Sequence, residues 1–110
     1  MATTYKVLGQ AAPADTANAD LYTVPASTEA VVSTLLVTNT TAADATCRIF
    51  VRVAGAAAAA SNAIIYDGTA GANDFVAITV GITLAATDVI TVQSGTADAL
   101  TFQAFGSEIA

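Results

Sequence analysis

The nine carboxylates of this 110-residue chain are the side chains best suited to chemistry. Glycoside cleavage, for example, needs two carboxylic groups at a defined separation, one of which has a raised pKa. Four of the aspartates coincide with predicted turns, where an aspartate side chain bonds to nearby backbone amides. We therefore interpret the following as turn residues and not as a catalytic pair: Asp67, Asp74, Asp88 and Asp98.

The serines have no base to activate them, because the sequence contains no histidine and its only lysine, Lys6, lies in a different segment from every serine. Without histidine the chain also lacks the usual general acid or base near neutral pH and the imidazole metal ligand. No Asp-x-Asp-x-Asp calcium loop and no glycine-rich phosphate loop occurs. We predict a protein that is not an enzyme and that uses no metal or cofactor.

The composition is typical of a protein that shares its surface with others. Hydrophobic residues make up 55% of the chain and charged residues 11%, whereas globular domains average about 45–50% and about 25%. Either threonine, serine, asparagine and glutamine hydrate this surface, or part of it is buried against copies of the chain or another protein. We favour the second interpretation.

The net charge of −6 excludes free nucleic acid as a partner, because phosphate binding needs many basic contacts and the chain has only Lys6, Arg48 and Arg52. No run of about 18 apolar residues is present, and residues 1–10 do not resemble a secretion signal. We expect a chain that is made in the cytoplasm without an export signal and that binds no membrane. The single cysteine, Cys47, cannot form an intrachain disulfide, and we predict that it is a small buried hydrophobe.

The pattern along the chain predicts an all-β protein: one domain over residues 1–110 that is an antiparallel β-sandwich of about eight strands, with a possible loop or arm at 11–20. Jelly-roll and immunoglobulin-like connections both fit. We expect the odd-numbered residues of the third strand, including Val31, to face inward, and the last two strands to form a hairpin through residues 95–98. The predicted strands are 5–10, 21–24, 30–39, 46–54, 62–66, 75–80, 82–84, 89–94 and 99–106.

Strand 46–54 alternates most strictly, and its inward face is predicted to carry Cys47, Ile49, Val51 and Val53. Its other face carries Arg48, Phe50 and Arg52, and arginine and aromatic residues are enriched at interface centres. We predict that this arginine stripe is an interface; the alternative is a solvated face on which a loop covers Phe50. A second candidate interface consists of the outward residues of the last strand, whose Leu100, Phe102 and Ala104 are predicted to face inward: Thr101, Gln103 and Phe105.

The order of several short segments resembles small structural proteins of tailed bacteriophages. The segments are a V-L-G-Q opening, D-L-Y-T-V-P, a V-T-N turn, the strand CRIFVRVAG, T-L-A-A-T-D-V-I-T-V and a terminal F-G-S-E-I. This resemblance implies a β-sandwich virion component, either a capsid decoration (cement) subunit or a part of the neck, tail or fibre. It brings no functional residues with it.

The composition and the resemblance together predict a non-enzymatic virion protein. We expect it to bind the particle as a homo-oligomer, with a trimer favoured, and to contact the major capsid protein or other virion structural proteins. The alternative from another class is a module that binds host-surface carbohydrate. Its candidate aromatic platforms are Tyr5, Tyr22, Phe50, Tyr66 and Phe105.

Overall fold

The computed structural model describes residues 2–110 and contains nine β-strands and two short 3-10 turns. The turns, Val53–Gly55 and Ala60–Asn62, lie between the fourth and fifth strands. The strands are β1 (Thr3–Ala11), β2 (Ala19–Thr23), β3 (Glu29–Asn39), β4 (Ala45–Arg52), β5 (Ala63–Ala70), β6 (Phe75–Ile78), β7 (Ile82–Leu84), β8 (Val89–Ser94) and β9 (Leu100–Ile109).

The strands form two antiparallel sheets. Sheet 1 has the order β1-β9-β3-β6, with β7 also paired to β3, and sheet 2 has the order β2-β8-β4-β5. Because β6 and β7 both pair with β3, they are two halves of one strand that is interrupted just before Ile82, where Gly81 has a φ of 59°. Counted this way, eight strands lie in the orders 1-8-3-6 and 2-7-4-5. This is the jelly-roll arrangement, and it confirms the predicted β-sandwich.

The core lies between the sheets and consists of the inward residues of both. Strand alternation produces this directly, since successive side chains point to opposite faces. In β9 the inward residues Leu100, Phe102 and Ala104 are fully buried, as the sequence predicts. The largest fully buried hydrophobic side chains are Phe102, Leu35, Ile49, Ile90 and Leu100.

The predicted hairpin of the last two strands is wrong. Strand β8 belongs to sheet 2, between β2 and β4, whereas β9 belongs to sheet 1, between β1 and β3. The loop 95–99 therefore crosses from one sheet to the other. Backbone hydrogen bonds hold it at both ends, from Gly95 N to Thr46 O (2.8 Å) and from Thr40 N to Ala99 O (2.9 Å).

The predicted inward face of β3 is right for Leu35 and Val37 and wrong for Val31. A β-bulge shifts the register of β3 against β9 between Val32 and Thr34. Because a bulge adds one residue, it exchanges the two faces of the strand on either side of it. Before the bulge Val32 is therefore buried and Val31 faces outward.

Several predicted strand ends differ from the structure, and three of the differences change the position of a predicted residue or segment. Strand β4 ends at Arg52, so that Val53 lies in a turn and is 68% exposed instead of facing inward. Strand β5 continues through Asp67, which lies at a bulge with a φ of 58°, so Asp67 is not a turn residue. Strand β9 continues beyond the predicted end at residue 106 to Ile109, and Ala2 and Ala110 exchange two backbone hydrogen bonds.

Glu108 connects the two sheets at one end of the sandwich. Its Oε2 accepts a 2.5 Å hydrogen bond from the hydroxyl of Tyr22 on β2, and its Oε1 lies 3.1 Å from Nζ of Lys6 on β1. The Tyr22 hydroxyl, followed by Lys6, lowers the pKa of Glu108 below its ordinary value. Burial, followed by the contact with Glu108, raises the pKa of Tyr22.

We predict that Glu108→Gln lowers the free energy of unfolding at neutral pH by about 2 kcal/mol, because charge-assisted hydrogen bonds are lost. The pKa of Glu108 is lower in the folded than in the unfolded chain. Glu108 therefore stabilises the folded protein fully at pH values above its pKa in the unfolded chain, about 4.3. This stabilisation is lost as the pH falls through its lower pKa in the folded protein. Urea unfolding of both proteins should show stabilities that converge in acid. If the free energies of unfolding of the two proteins differ by the same amount at neutral and acidic pH, the charge of Glu108 does not stabilise the fold.

Candidate interaction surfaces

The arginine stripe lies on the outer face of sheet 2, where Arg48 forms an ion pair within the chain. Its Nε and Nη2 donate to the two carboxylate oxygens of Asp67, at 2.7 and 3.1 Å. The guanidinium also lies over the ring of Tyr66, 4.0 Å from the ring centroid. The pairing lowers the pKa of Asp67 and raises that of Arg48.

Phe50 lies on the same outer face but is only 3% exposed. It does not belong to the core cluster between the sheets. The edge of its ring meets Tyr66, with the ring centroids 6.5 Å apart, and its cross-strand neighbours are Ala63 on β5 and Thr91 on β8. Phe50 therefore offers little of its own surface to a partner.

Arg52 fastens residues 53–62 to sheet 2. Its guanidinium donates to the carbonyl oxygens of Gly55 (3.0 Å) and Ala56 (2.6 Å) in this loop. It also donates to Oδ1 of Asp20 and to the Thr91 hydroxyl, both at 3.1 Å. The structure thus places the three stripe residues on one face, as the alternation indicates, and gives both arginines partners within the chain. A role of the stripe as an interface stays a prediction.

We predict that Arg52→Gln lowers the free energy of unfolding by about 2 kcal/mol, since it removes several hydrogen bonds of a charged group that is mostly buried. The melting temperature should fall by several degrees. The matched variant Arg48→Gln should have a smaller effect, because an exposed ion pair contributes little. Thermal unfolding of the two variants measures the difference, and equal melting temperatures would contradict the bracing role of Arg52.

A cleft of about 220 Å³ lies beside the stripe. The charged and amide side chains that line it are bonded to their neighbours: Arg48 to Asp67, and Nε2 of Gln93 to the carbonyl of Thr16 at 2.8 Å. Burial raises the pKa of the Cys47 thiol, which favours its protonated, unreactive form. Within residues 2–110 no three acidic, cysteine or histidine side chains are grouped as metal ligands.

The outer face of sheet 1 contains the second candidate interface at its centre. The strand registers place outward residues of β1, β3, β6 and β7 around those of β9. We call this surface the uncharged face. It consists of Tyr5, Val7, Gln10, Val31, Thr34, Leu36, Thr38, Phe75, Ala77, Thr83, Thr101, Gln103 and Phe105.

No residue of the uncharged face carries a charge. Glu29 and Asp74 lie beyond its two ends, and Lys6, which lies at the margin of the face and lines its larger depression, is paired with Glu108. Large apolar side chains are nevertheless exposed here: Tyr5 is 84% and Phe75 61% exposed. Exposed apolar surface of this kind marks interaction sites in folded proteins.

Two depressions are present on this side of the sheet. One, of about 520 Å³, is lined by residues that include Tyr5, Val31 and Phe105. The other, of about 400 Å³, is lined by residues that include Thr101 and Gln103, and Nε2 of Gln10 donates to Oε1 of Gln103 at 2.8 Å. All three residues of the second candidate interface therefore line a depression.

The five aromatic residues considered for carbohydrate binding differ in how accessible they are in the structure. Tyr22 and Phe50 are buried, and the Arg48 guanidinium covers one face of the Tyr66 ring. Tyr5 and Phe105 line the same depression of the uncharged face. Of the five, only these two lie side by side at an accessible depression. Within residues 2–110 no helix is long and apolar enough to cross a membrane.

No protein-family model and no curated protein matches the chain. Three chains of solved structures match, one of them in the structure of infectious bursal disease virus, Gx strain. The similarity has a TM-score of 0.52 and 10% sequence identity, and it covers 97% of this chain and 30% of the viral one. The chain therefore spans about a third of the viral chain, and what the two share is the fold.

Proposed function

We propose that this chain is a non-enzymatic structural subunit of a virus particle. The observation that carries the proposal is the jelly-roll fold, which nearly the whole chain shares with part of a chain from a virus structure. Viral capsid proteins are a frequent use of this fold, although a fold alone does not determine function. The low charge and the uncharged face add independent support, because both suit a subunit that packs against neighbours.

The resemblance of the sequence segments to tailed-phage proteins supports a more specific role. In this role the protein is a capsid decoration subunit that binds the major capsid protein as a homo-oligomer, with three copies as the expected number. The alternative location is the neck, tail or fibre. The two locations differ in copy number, since a decorated capsid presents many equivalent sites.

A quantified gel of purified virions tests the role and the location together. Capsid decoration predicts copies on the order of hundreds per particle, set by the capsid symmetry. A few copies up to dozens would instead indicate the neck, tail or fibre. Absence of the protein from purified particles would contradict the virion role.

The arginine stripe enters this proposal as a candidate particle contact, and Arg48→Glu is the variant that tests it. Arg52 braces a loop, so its substitution would confuse stability with binding. If Arg48 faces acidic groups of a partner, charge reversal should abolish particle binding at low salt, whereas the loss of the exposed pair with Asp67 should lower the melting temperature only slightly and leave the variant folded. If the variant binds particles as well as the wild type, the arginine stripe is not a particle contact.

Carbohydrate binding is the second candidate function, and the pairing of Tyr5 with Phe105 at one depression is the observation that favours it. Aromatic side chains provide apolar platforms, and Ser33 and Ser107 line the same depression. A glycan array with the purified protein tests this function. A reproducible signal that is lost in Tyr5→Ala would support it, and an array without signal would contradict it.

A further inference from the structure

We propose that the uncharged face is the surface through which one copy of this chain packs against a second copy. The inference rests on the homo-oligomeric part of the proposed function and identifies the residues that perform it. At the centre of the contact are Thr101, Gln103 and Phe105 of β9, flanked by Val7 on β1 and Leu36 on β3.

The chemistry of the face restricts what can cover it. A charged side chain of a partner would lose its hydration there and would meet no unpaired opposite charge, since Lys6 at the larger depression is already paired with Glu108. The occupant must therefore present an uncharged surface of threonine, glutamine and apolar residues. This chain carries such a surface itself, in the same strands.

The net charge of −6 points to the same occupant. Two copies repel each other wherever their carboxylates approach, and a basic partner would be drawn to those carboxylates. On the uncharged face the nearest free carboxylates, Glu29 and Asp74, lie beyond its ends. Two copies can therefore approach here with less repulsion than across the surfaces that carry the carboxylates.

The shape of the uncharged face, with its protruding side chains and depressions, also suits contact with a second copy. Tyr5 and Phe75 protrude, while depressions of about 520 and 400 Å³ lie between the strands. Aromatic residues that fill pockets are the usual centres of binding energy in protein interfaces. Because the protrusions and the depressions occur on one surface, each copy supplies both halves of such contacts.

The size of the face sets the expected strength. Four strands about 4.8 Å apart, each contributing a length of about 23 Å, give a surface of about 19 by 23 Å. Its thirteen residues compare with about 20–30 residues a side in a standard stable interface. We therefore expect an association that dissociates on dilution and not a permanent one.

Analytical ultracentrifugation of the purified full chain over a range of concentrations tests the proposal. Gln103→Glu introduces a charge at the centre of the face with almost no change in shape, and the glutamate can still accept from Gln10. It should weaken self-association on the order of 100-fold, because each copy then buries an unpaired carboxylate. Tyr5→Asp places the same charge at a fully accessible site and keeps the test valid if Gln103→Glu folds poorly.

The matched control is Ala97→Asp, which adds the same charge in the exposed loop 95–99, away from the face. The proposal is supported if the wild type and Ala97→Asp associate at a concentration at which Gln103→Glu and Tyr5→Asp are folded monomers. If all four proteins form oligomers, self-association does not occur through the uncharged face, although the chain is still a homo-oligomer. Equal loss in Ala97→Asp would overturn the choice of face too, since net charge alone would then explain the effect.

A wild-type monomer at every concentration would overturn both this inference and the homo-oligomer, whereas the gel of purified virions decides the virion role separately. If that monomer still binds particles and Gln103→Glu does not, the face belongs to a different protein. Self-association through the face is then rejected.

Discussion

Replacing Gly106 by alanine is expected to destabilise the protein by about 3 kcal/mol, because the added methyl group meets backbone and not a movable side chain. A Cβ at this position would lie 2.0 Å from the carbonyl oxygen of Val31 and 3.0 Å from Cα of Val32. Both belong to β3, which is paired with β9 along its whole length. Relief therefore requires the two central strands of sheet 1 to separate.

Urea unfolding of Gly106→Ala measures this effect, and Gly71→Ala is the matched control. Gly71 has neither a positive φ nor a close neighbour, since the nearest atom to its added Cβ is Cβ of Asp74 at 3.8 Å. The control should change stability by no more than about 0.5 kcal/mol. Similar unfolding midpoints for the two variants would show that β3 and β9 move apart easily, which would contradict the expected clash.

Asn39→Asp is the second substitution with a large expected effect: it should lower the free energy of unfolding by about 4 kcal/mol. The Asn39 side chain is buried, and its Nδ2 donates to the carbonyls of Ala43 (2.8 Å) and Ala70 (3.0 Å). An aspartate of the same shape cannot donate, so that a buried carboxylate faces two carbonyl oxygens that have lost their donor. Its own Oδ1 contacts with the amide and hydroxyl of Thr41 can persist.

Thermal and urea unfolding of Asn39→Asp should be compared with those of Asn18→Asp, which makes the same chemical change on an exposed loop. We expect the exposed variant to stay within about 0.5 kcal/mol of the wild type. If both variants unfold at the wild-type midpoint, the two carbonyls have found other donors, and Asn39 does not hold the loops together.

Alternation along single strands was the most reliable guide to the fold. In β9 it assigned Leu100, Phe102 and Ala104 to the core, because two-residue periodicity depends only on local geometry. It failed at β3, where the bulge between Val32 and Thr34 exchanges the faces and no glycine or proline announces it. It also could not show that β8 and β9 belong to different sheets, since sheet membership depends on partners far away in sequence.

For the candidate surfaces too, features that lie on one strand could be predicted from the sequence, and contacts between strands distant in sequence could not. The arginine stripe is visible in the sequence because its three residues lie on one strand, but its partners Asp20 and Asp67 come from β2 and β5. The Asp67-Gly68 pair signals a turn, whereas in the structure it marks a bulge that brings Asp67 to Arg48. Of the uncharged face only the β9 residues could be found, because the sheet assembles the rest from four other strands.

The position of β9 also has a consequence for the order in which the protein can fold during synthesis. Of the nine strands within residues 2–110, β9 is the last to leave the ribosome, yet it lies between β1 and β3 and is the strand with which β1 pairs. Until it emerges, β1 and one edge of β3 have no partner in their sheet, and unpaired edges invite association with other chains. The long separation between β1 and β9 further slows closure. Nascent chains of this protein should therefore depend on protection by chaperones until β9 has left the ribosome.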